Sequence, residues 1–189
     1  MPPRVKSRRA SYEDVLAAPE WVVAEVIEGE LRTSPRPALR HAYAETRLTS
    51  LLDGPFGRGL GGPGGWILLA EPELHLEGGD AILVPDLAAW RLERLPSVPD
   101  EAFVSVVPDW VCEILSPSSA AFDRERKVPL YARAGVAHAW LVDPIARTRE
   151  VLAARAAGFA AVESYRDAAR VRSEPFAAVE IDLSELWAR

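Results

Sequence analysis

Residues 110–115 constrain the fold more strongly than any other part of the chain. They are apolar at every position except Glu113. A short, continuous apolar run of this kind is typical of a central strand that is covered on both faces of its sheet. Glu113 is therefore expected to be a carboxylate in buried surroundings. Such a group is costly to ionise unless a cation offsets its charge.

Two other polar residues also stand near apolar segments. Asp86 interrupts residues 83–87, within a strand predicted over 81–92, and Lys127 comes after the strand of Glu113. If the strands of Asp86 and Glu113 are neighbours, their carboxylates can meet at one point. Oxygen ligands suit Mg²⁺ or Mn²⁺, and a nearby lysine suits phosphodiester hydrolysis, in which negative charge builds up. The residues thus predict a metal-dependent nuclease with Asp86 and Glu113 as metal ligands.

Each of these residues also has a purely structural interpretation. Asp86 follows a proline, as turn and strand-edge residues often do. Glu113 and Lys127 can form a buried salt bridge without any metal. Arg124 and Arg126 are rival cations for the role of Lys127. The residues alone do not decide between these alternatives and a metal site.

Length and composition indicate an ordinary globular protein. The chain has 189 residues, of which 49% are hydrophobic and 26% charged, and we interpret residues 1–189 as one domain. No apolar run approaches the roughly 20 residues that span a bilayer, and no secretory signal is evident, so we expect a cytoplasmic protein. Cys112 is expected to be a small buried residue. His41, His75 and His138 lack zinc-ligand spacing.

The net charge of −6 argues against a protein whose whole surface binds nucleic acid. A local basic face can still exist on an acidic protein. Its candidate residues fall in two groups, near the N-terminus and beside the predicted site: Arg4, Lys6, Arg8, Arg9, Arg124, Arg126 and Lys127. We expect residues 1–10 to form a flexible basic tail rather than a DNA-binding arm.

Periodicity and turn residues predict an alternation of strands and helices. Helices are expected over 11–17, 39–52 and 122–134, the last one starting or kinking near Val128 because of Pro129. Residues 54–65 are glycine-rich and are interpreted as a flexible connection. The predicted strands and hairpins cover residues 21–33, 66–69, 74–76, 81–92, 110–115, 138–142, 150–154, 160–165 and 176–181.

Several short motifs, in this order, resemble those of the Uma2 family of restriction-endonuclease-like proteins. They are Glu25 to Leu31, Ser34-Pro35, His41, Pro85-Asp86, Glu113 to Ser118, Lys127, Tyr131, Gly135-Val136 and Trp140 to Pro144. The resemblance covers residues 22–144. It implies the fold of the PD-(D/E)XK nuclease class, which is an α/β fold with a mixed central sheet flanked by helices, here with additional β-hairpins.

The resemblance also implies roles for individual residues. Asp86 and Glu113 would be the metal-binding carboxylates and Lys127 the catalytic lysine. The chain departs from the basic nuclease pattern at Leu115, where that pattern has lysine, and members of the family are understood to use a lysine on the following helix. Glu73, Glu25, His41 and Ser116 are further candidates around the cleft. Glu73 is preferred to Glu71 because it alternates with Leu74 and Leu76.

The function predicted from the sequence is a Mg²⁺- or Mn²⁺-dependent DNA endonuclease. A homodimer would supply two symmetric sites for the two strands of a duplex. One alternative is a non-catalytic or regulatory protein on a nuclease scaffold, which the acidic charge and the displaced lysine favour. Another is an RNA nuclease or a different metal-dependent hydrolase that uses the same acids.

Overall fold

A computed structural model describes residues 8–35 and 37–188 of the chain. Its helical segments are α1 (Tyr12–Leu16), α2 (Leu39–Leu52), α3 (Ala120–Phe122) and α4 (Val128–Ala134), two π-helical turns (Asp53–Gly57 and Asp123–Lys127) and two 3₁₀ turns (Glu77–Gly79 and Leu183–Leu186). Its strands are β1 (Val22–Ile27), β2 (Glu30–Pro35), β3 (Trp66–Ala70), β4 (Leu74–Leu76), β5 (Ala81–Leu83), β6 (Leu87–Arg91), β7 (Trp110–Ile114), β8 (His138–Asp143), β9 (Thr148–Arg155), β10 (Gly158–Arg166), β11 (Arg170–Val171) and β12 (Ile181–Asp182).

The larger sheet is mixed and has the strand order β10-β9-β8-β7-β6-β3. Strands β7 and β8 are parallel and are joined through α3, a π-helical turn and α4, whereas the other neighbours in this sheet are antiparallel. The predicted α/β fold with a mixed central sheet is therefore confirmed. The hairpin β9–β10 extends this sheet at one edge.

Strand β7 is buried on both faces, as its composition predicts. Cys112 and Ile114 pack on the side of α2, where Leu48 and Phe176 complete a cluster of apolar side chains. Val111 belongs to the cluster on the other side, which contains the α4 residues Leu130 and Tyr131. Because side chains alternate along a strand, Glu113 lies on the α4 side of the sheet.

The chain also forms a smaller antiparallel sheet, which has the strand order β2-β1-β5-β4. Its β1–β2 hairpin confirms the predicted hairpin, and the turn residues Glu28 and Gly29 both have positive φ angles (53° and 83°), as a tight two-residue hairpin turn requires. Strand β5 belongs to this sheet, whereas β6 belongs to the larger sheet.

The prediction of one strand over residues 81–92 was wrong for that reason. The chain leaves the smaller sheet after Leu83 and enters the larger sheet at Leu87, so Asp86 lies in the crossing segment rather than inside a strand. Pro85 stands in this segment and has no backbone N–H to give to a ladder of hydrogen bonds. The crossing places Asp86 at the junction of the two sheets.

The helix after β7 carries Lys127 and has an irregular middle. Residues 123–127 form a wide π-helical turn, and α4 begins at Val128 with Pro129 in its first turn, as predicted. Gly135 ends α4 in a left-handed conformation with a φ of 95°. Lys127 is therefore the last residue of the widened turn, directly before a proline-started helix.

Other predicted segments need correction. The segment predicted as flexible over 54–65 begins with a π-helical turn, because Phe56 is buried and packs its ring 4.8 Å from that of Phe176. The strand predicted over 176–181 is limited to Ile181–Asp182, which pairs with Arg170–Val171.

The predicted basic tail lies mostly outside the described residues. Within residues 8–10, the Arg8 guanidinium lies 2.5 Å from the Asp14 carboxylate, and the Ala10 N–H donates to the Gly29 carbonyl over 2.8 Å. These three residues are therefore held against α1 and the first hairpin rather than free. Among the described helices, none has the length and apolar character needed to cross a membrane.

Candidate active site

A cavity of about 500 Å³ opens at the junction of the two sheets. Strand β1, the crossing segment, β7, the start of α2 and the π-helical turn before α4 all contribute to its walls. Its charged and titratable lining residues are Glu25, Arg32, His41, Glu71, Asp86, Glu113, Asp123 and Lys127. The fold thus brings the three principal residues predicted from the sequence, Asp86, Glu113 and Lys127, into one cavity.

Glu113 is 4% exposed and uses one carboxylate oxygen for two contacts. Its Oε1 lies 2.9 Å from Lys127 Nζ and accepts a hydrogen bond of 2.6 Å from the Tyr131 hydroxyl. Burial raises the pKa of Glu113 well above its usual value, although Lys127 opposes this. Neither contact uses Oε2, so that oxygen is not taken up by them.

Lys127 is equally buried and has a partner for each of its three N–H donors. Its Nζ lies 3.0 Å from Glu25 Oε1 and 2.9 Å from Glu113 Oε1, and it donates to the Val84 carbonyl over 2.9 Å. Burial lowers the pKa of the ammonium group, but Glu113 and Glu25 outweigh burial and raise it. The side chain is a fixed cation, and the buried salt bridge considered from the sequence is present.

Asp86 is held by contacts from α2, from β7 and from the segment after β3. Its Oδ1 lies 3.1 Å from His41 Nε2, and its Oδ2 accepts a 2.5 Å hydrogen bond from the backbone N–H of Ile114, next to Glu113. Its backbone carbonyl accepts from the Glu71 N–H over 2.9 Å. These contacts orient the carboxylate in the cavity beside β7.

Carboxylates crowd the α2 side of the cavity. Burial, together with the charges of Asp86 and Glu71, raises the pKa of Glu45 to about 7. Burial lowers the pKa of His41, but its hydrogen bond to Asp86 and the charges of Glu45 and Glu71 outweigh burial and raise it. The crowding is the electrostatic signature of a place that favours added positive charge.

Hydroxyl groups from the loop after β7 and another acid also line the cavity. Ser116 lines the cavity, and its Oγ lies 3.0 Å from the Oγ atoms of both Ser118 and Ser119. Asp123 is 5% exposed, and burial raises its pKa, although Lys127 and a hydrogen bond from Ser119 oppose this. Ser116 therefore holds the loop after β7 in shape at the edge of the cavity.

Two further candidates from the sequence, Glu73 and Glu25, lie in different places relative to the cavity. Glu73 does not line the cavity, since its carboxylate bonds His75 Nε2 over 2.8 Å, and Glu71 takes the place predicted for it. The alternation argument failed because Glu71 and Glu73 lie between β3 and β4, and Glu71 has a φ of +46° that breaks the strand. Glu25, by contrast, lies in the cavity wall and accepts from the Val84 N–H over 2.9 Å.

The rival cations are directed elsewhere. Arg124 makes a two-pronged contact with Glu150, and Arg126 pairs with Glu28 over 2.5 Å. Neither arginine lines the cavity among the described residues, whereas Lys127 does.

The donor set can be tested for a divalent cation. Within residues 8–35 and 37–188, no three acidic, His or Cys side chains are already gathered in a ready-made metal cage. Asp86 and Glu113 nevertheless supply hard oxygen donors to one cavity, and Oε2 of Glu113 is not engaged by Lys127 or Tyr131. Magnesium is commonly bound by only one or two carboxylates and keeps several waters. The residues present fit such a site.

Sequence reasoning ranked Glu71 below Glu73, named neither Asp123 nor Arg32 as a site residue, and gave Tyr131 no chemical role. Tyr131 was noted only as part of a motif, although its hydroxyl donates to Glu113. Asp123 could have been found from its spacing to Lys127, because residues four apart on a helix share a face. Nothing in the local pattern indicates Glu71, since its position depends on the break between two strands.

The mixed central sheet flanked by helices is the α/β fold expected for the restriction-endonuclease-like class. The chain belongs to the Uma2 family, described as "Putative restriction endonuclease", whose model matches residues 10–184.

Among solved structures, the fold is similar to that of "a putative nuclease belonging to DUF820" from Anabaena variabilis. The two share 21% sequence identity and a TM-score of 0.72, and the match covers 94% of this chain and 97% of the other. A search of curated proteins gave no match. Family and fold together point to a nuclease.

Proposed function

We propose that the protein is a nuclease that hydrolyses phosphodiester bonds in DNA with the help of Mg²⁺ or Mn²⁺. The observation that carries this proposal is the convergence of Asp86, Glu113 and Lys127 in one cavity at the junction of the sheets. Membership of the family described as "Putative restriction endonuclease" supports it.

Asp86 and Glu113 are the residues that would hold the cation. When bound there, a divalent cation supplies Lewis-acid polarisation of a phosphoryl oxygen and a water of lowered pKa. Both carboxylates are positioned by the protein itself, Asp86 by the Ile114 N–H and His41, and Glu113 by Tyr131 and Lys127.

Lys127 has the charge and the location to stabilise a phosphate. Its ammonium group is held protonated by Glu113 and Glu25, so it presents a full positive charge at the cavity wall. A rotation of the Glu113 carboxylate away from Nζ releases one N–H donor toward the cavity. That donor can then bind an oxygen of the phosphate, where charge develops during hydrolysis.

The alternative is a non-catalytic protein on a nuclease scaffold. The observation that favours it is the complete use of the Lys127 donors by Glu25, Glu113 and the Val84 carbonyl, which resembles a stabilising network. The two functions differ in whether the network opens when metal and nucleic acid are present.

Cleavage of supercoiled plasmid DNA in Mg²⁺ and in Mn²⁺ tests the proposal. We expect nicking by the wild-type protein, none with excess EDTA, and a loss of about a hundredfold or more in D86N and E113Q, which keep the size of each side chain. E93Q and D100N, which change exposed acids, are matched controls and should cleave normally. Equal nicking by wild type and by D86N would contradict the proposal.

The same assay on single-stranded DNA and on RNA separates the substrate classes. Cleavage of RNA alone would favour the ribonuclease alternative with the same residues. A homodimer stays a prediction, which light scattering of the purified protein measures directly.

A further inference from the structure

A second cavity, of about 280 Å³, lies next to the acid-lined one. Both cavities are lined by Arg32, Thr33 and Phe122, so they share a wall. The second cavity is also lined by Arg126 and by one acid, Glu30, which is exposed. We call the surface formed by Arg32, Phe122 and Arg126 the arginine groove.

Arg32 is a pre-oriented and unpaired cation in this groove. Its guanidinium carbon lies 3.7 Å from the centre of the Phe122 ring, which is a close cation–π contact. Among the residues the structure describes, no carboxylate forms an ion pair with Arg32, unlike Arg124 and Arg133, which pair with Glu150 and Glu77. Its donors are therefore available to a ligand.

Arg126 adds a second guanidinium on the same ring. Its guanidinium carbon lies 5.9 Å from the Phe122 centre, and its Nη2 pairs with Glu28, whose side chain is 47% exposed. Its buried Nε has no hydrogen-bond partner in the described part of the chain. An exposed ion pair of this kind contributes little and can exchange its carboxylate for another anion.

The charge distribution explains why such a groove is needed. The acid-lined cavity holds five carboxylates and one lysine, Lys127, which is paired with two of them. A polyanion gains no affinity there without help, and the chain as a whole is acidic, with a net charge of −6. Attraction must come from cations at the cavity rim, and Arg32 lies there.

We propose that the arginine groove binds a backbone phosphate of the substrate strand next to the phosphate that is cut. This inference rests on the proposed nuclease function, and it specifies how the substrate is held. A guanidinium offers a planar fork that matches two phosphate oxygens, and Phe122 fixes the plane of Arg32 in advance. The pre-oriented fork loses less conformational entropy on binding than a free arginine does.

The test is fluorescence anisotropy of a labelled DNA oligonucleotide with wild type, R32A, R126A and the double variant, in Ca²⁺ at several salt concentrations. We expect each single substitution to weaken binding about tenfold at low salt and to reduce the slope of log K against log salt by about one. R32K keeps the charge but not the fork and should fall between R32A and wild type.

R133A is the matched control, because Arg133 is exposed, is paired with Glu77 and lines neither cavity. Its binding should equal that of wild type, and thermal melting confirms that each variant is folded. If R32A and R126A both bind the oligonucleotide as tightly as wild type does, the proposal that the arginine groove binds a phosphate is wrong.

Failure of the arginine groove and failure of the nuclease function give different results. If wild type binds and cleaves DNA but the groove variants do so equally well, only the groove is wrong. If R133A weakens binding as much as R32A does, the effect is one of net charge and the groove is again wrong. If wild type neither binds nor cleaves DNA, the proposed nuclease function is wrong, and so is the role of the arginine groove that rests on it.

Discussion

Two buried cations, Lys127 and Arg149, occupy opposite kinds of environment in this protein. Lys127 Nζ has two carboxylates and a carbonyl within 3.0 Å and lies in the wall of a cavity. Arg149 is fully buried in the larger sheet, hydrogen-bonds the Ser173 hydroxyl, and stacks 4.2 Å above the Trp140 ring. Its Nε and Nη1 have no hydrogen-bond partners among the described residues.

The electrostatic consequences differ in sign. Glu113 and Glu25 outweigh the effect of burial on Lys127 and raise its pKa, whereas burial lowers the pKa of Arg149 to about 10. Burial of a charge is therefore not in itself a marker of function. The combination of a buried cation, acids that need it and an open cavity is what distinguishes Lys127.

The largest effect is expected from K127M. Removal of the ammonium group leaves Glu25 and Glu113 buried without their cation, which costs about 3 kcal/mol of unfolding free energy at pH 8. Cleavage should fall by about a hundredfold or more, because the charge that stabilises the phosphate is lost. Urea unfolding and plasmid nicking measure the two effects. R133M is the control, and a stable, active K127M would remove the contrast with Arg149.

The next effect concerns Glu45, on the acid-crowded side of the cavity. Its pKa of about 7 lies above that of an unfolded chain, so the folded state holds the proton more tightly. The corresponding stability is complete below the unfolded pKa near 4.5 and is lost as the pH rises through 7. We expect a loss of about 2 kcal/mol for this half-buried group, after allowing for solvent screening.

E45Q should remove that dependence. The variant should match wild type at pH 4 and be more stable by about 2 kcal/mol at pH 8, because glutamine does not ionise. Urea unfolding across this pH range measures the unfolding free energy of both proteins. Saturating Mg²⁺ should also make the unfolding free energy of wild type depend less on pH. Parallel curves for wild type and E45Q would show that the acids do not crowd Glu45.

The smallest effect is expected from R149M. Methionine loses the cation–π contacts with Trp140 and Tyr165 and the hydrogen bond to Ser173, each worth about 1 kcal/mol, but it also removes two buried nitrogens that lack partners, which offsets that loss. We therefore expect the stability to change by less than about 1 kcal/mol, with cleavage unaffected. R166M, at an exposed position, serves as the control. A destabilisation as large as that of K127M would mean that both cations are structural.

The sequence was most informative where local chemistry decides the structure. Glu28-Gly29 indicated the first hairpin, Pro129 the start of α4, and the apolar run around Glu113 the central strand. These features depend on neighbours along the chain. The convergence of Asp86 with Glu113 was also predicted, although the strand assigned to Asp86 was wrong.

What could not be predicted depends on long-range geometry. The transfer of the chain between two sheets at residues 84–86, and the positive φ of Glu71 that places it in the cavity instead of Glu73, have no local signal. The burial of Arg149 also has no local signal, because an arginine in a strand normally faces solvent. Its burial follows from packing against Trp140 and Tyr165, which come from two neighbouring strands.

The central claim is that Asp86 and Glu113 share a divalent cation in the cavity at the sheet junction. Isothermal titration of Mn²⁺ into the wild-type protein, D86N, E113Q and the surface control E93Q tests it most directly. We expect saturable binding by wild type and E93Q, and a loss of that binding in both D86N and E113Q. Equal Mn²⁺ binding by all four proteins, or none by the wild-type protein, would contradict it.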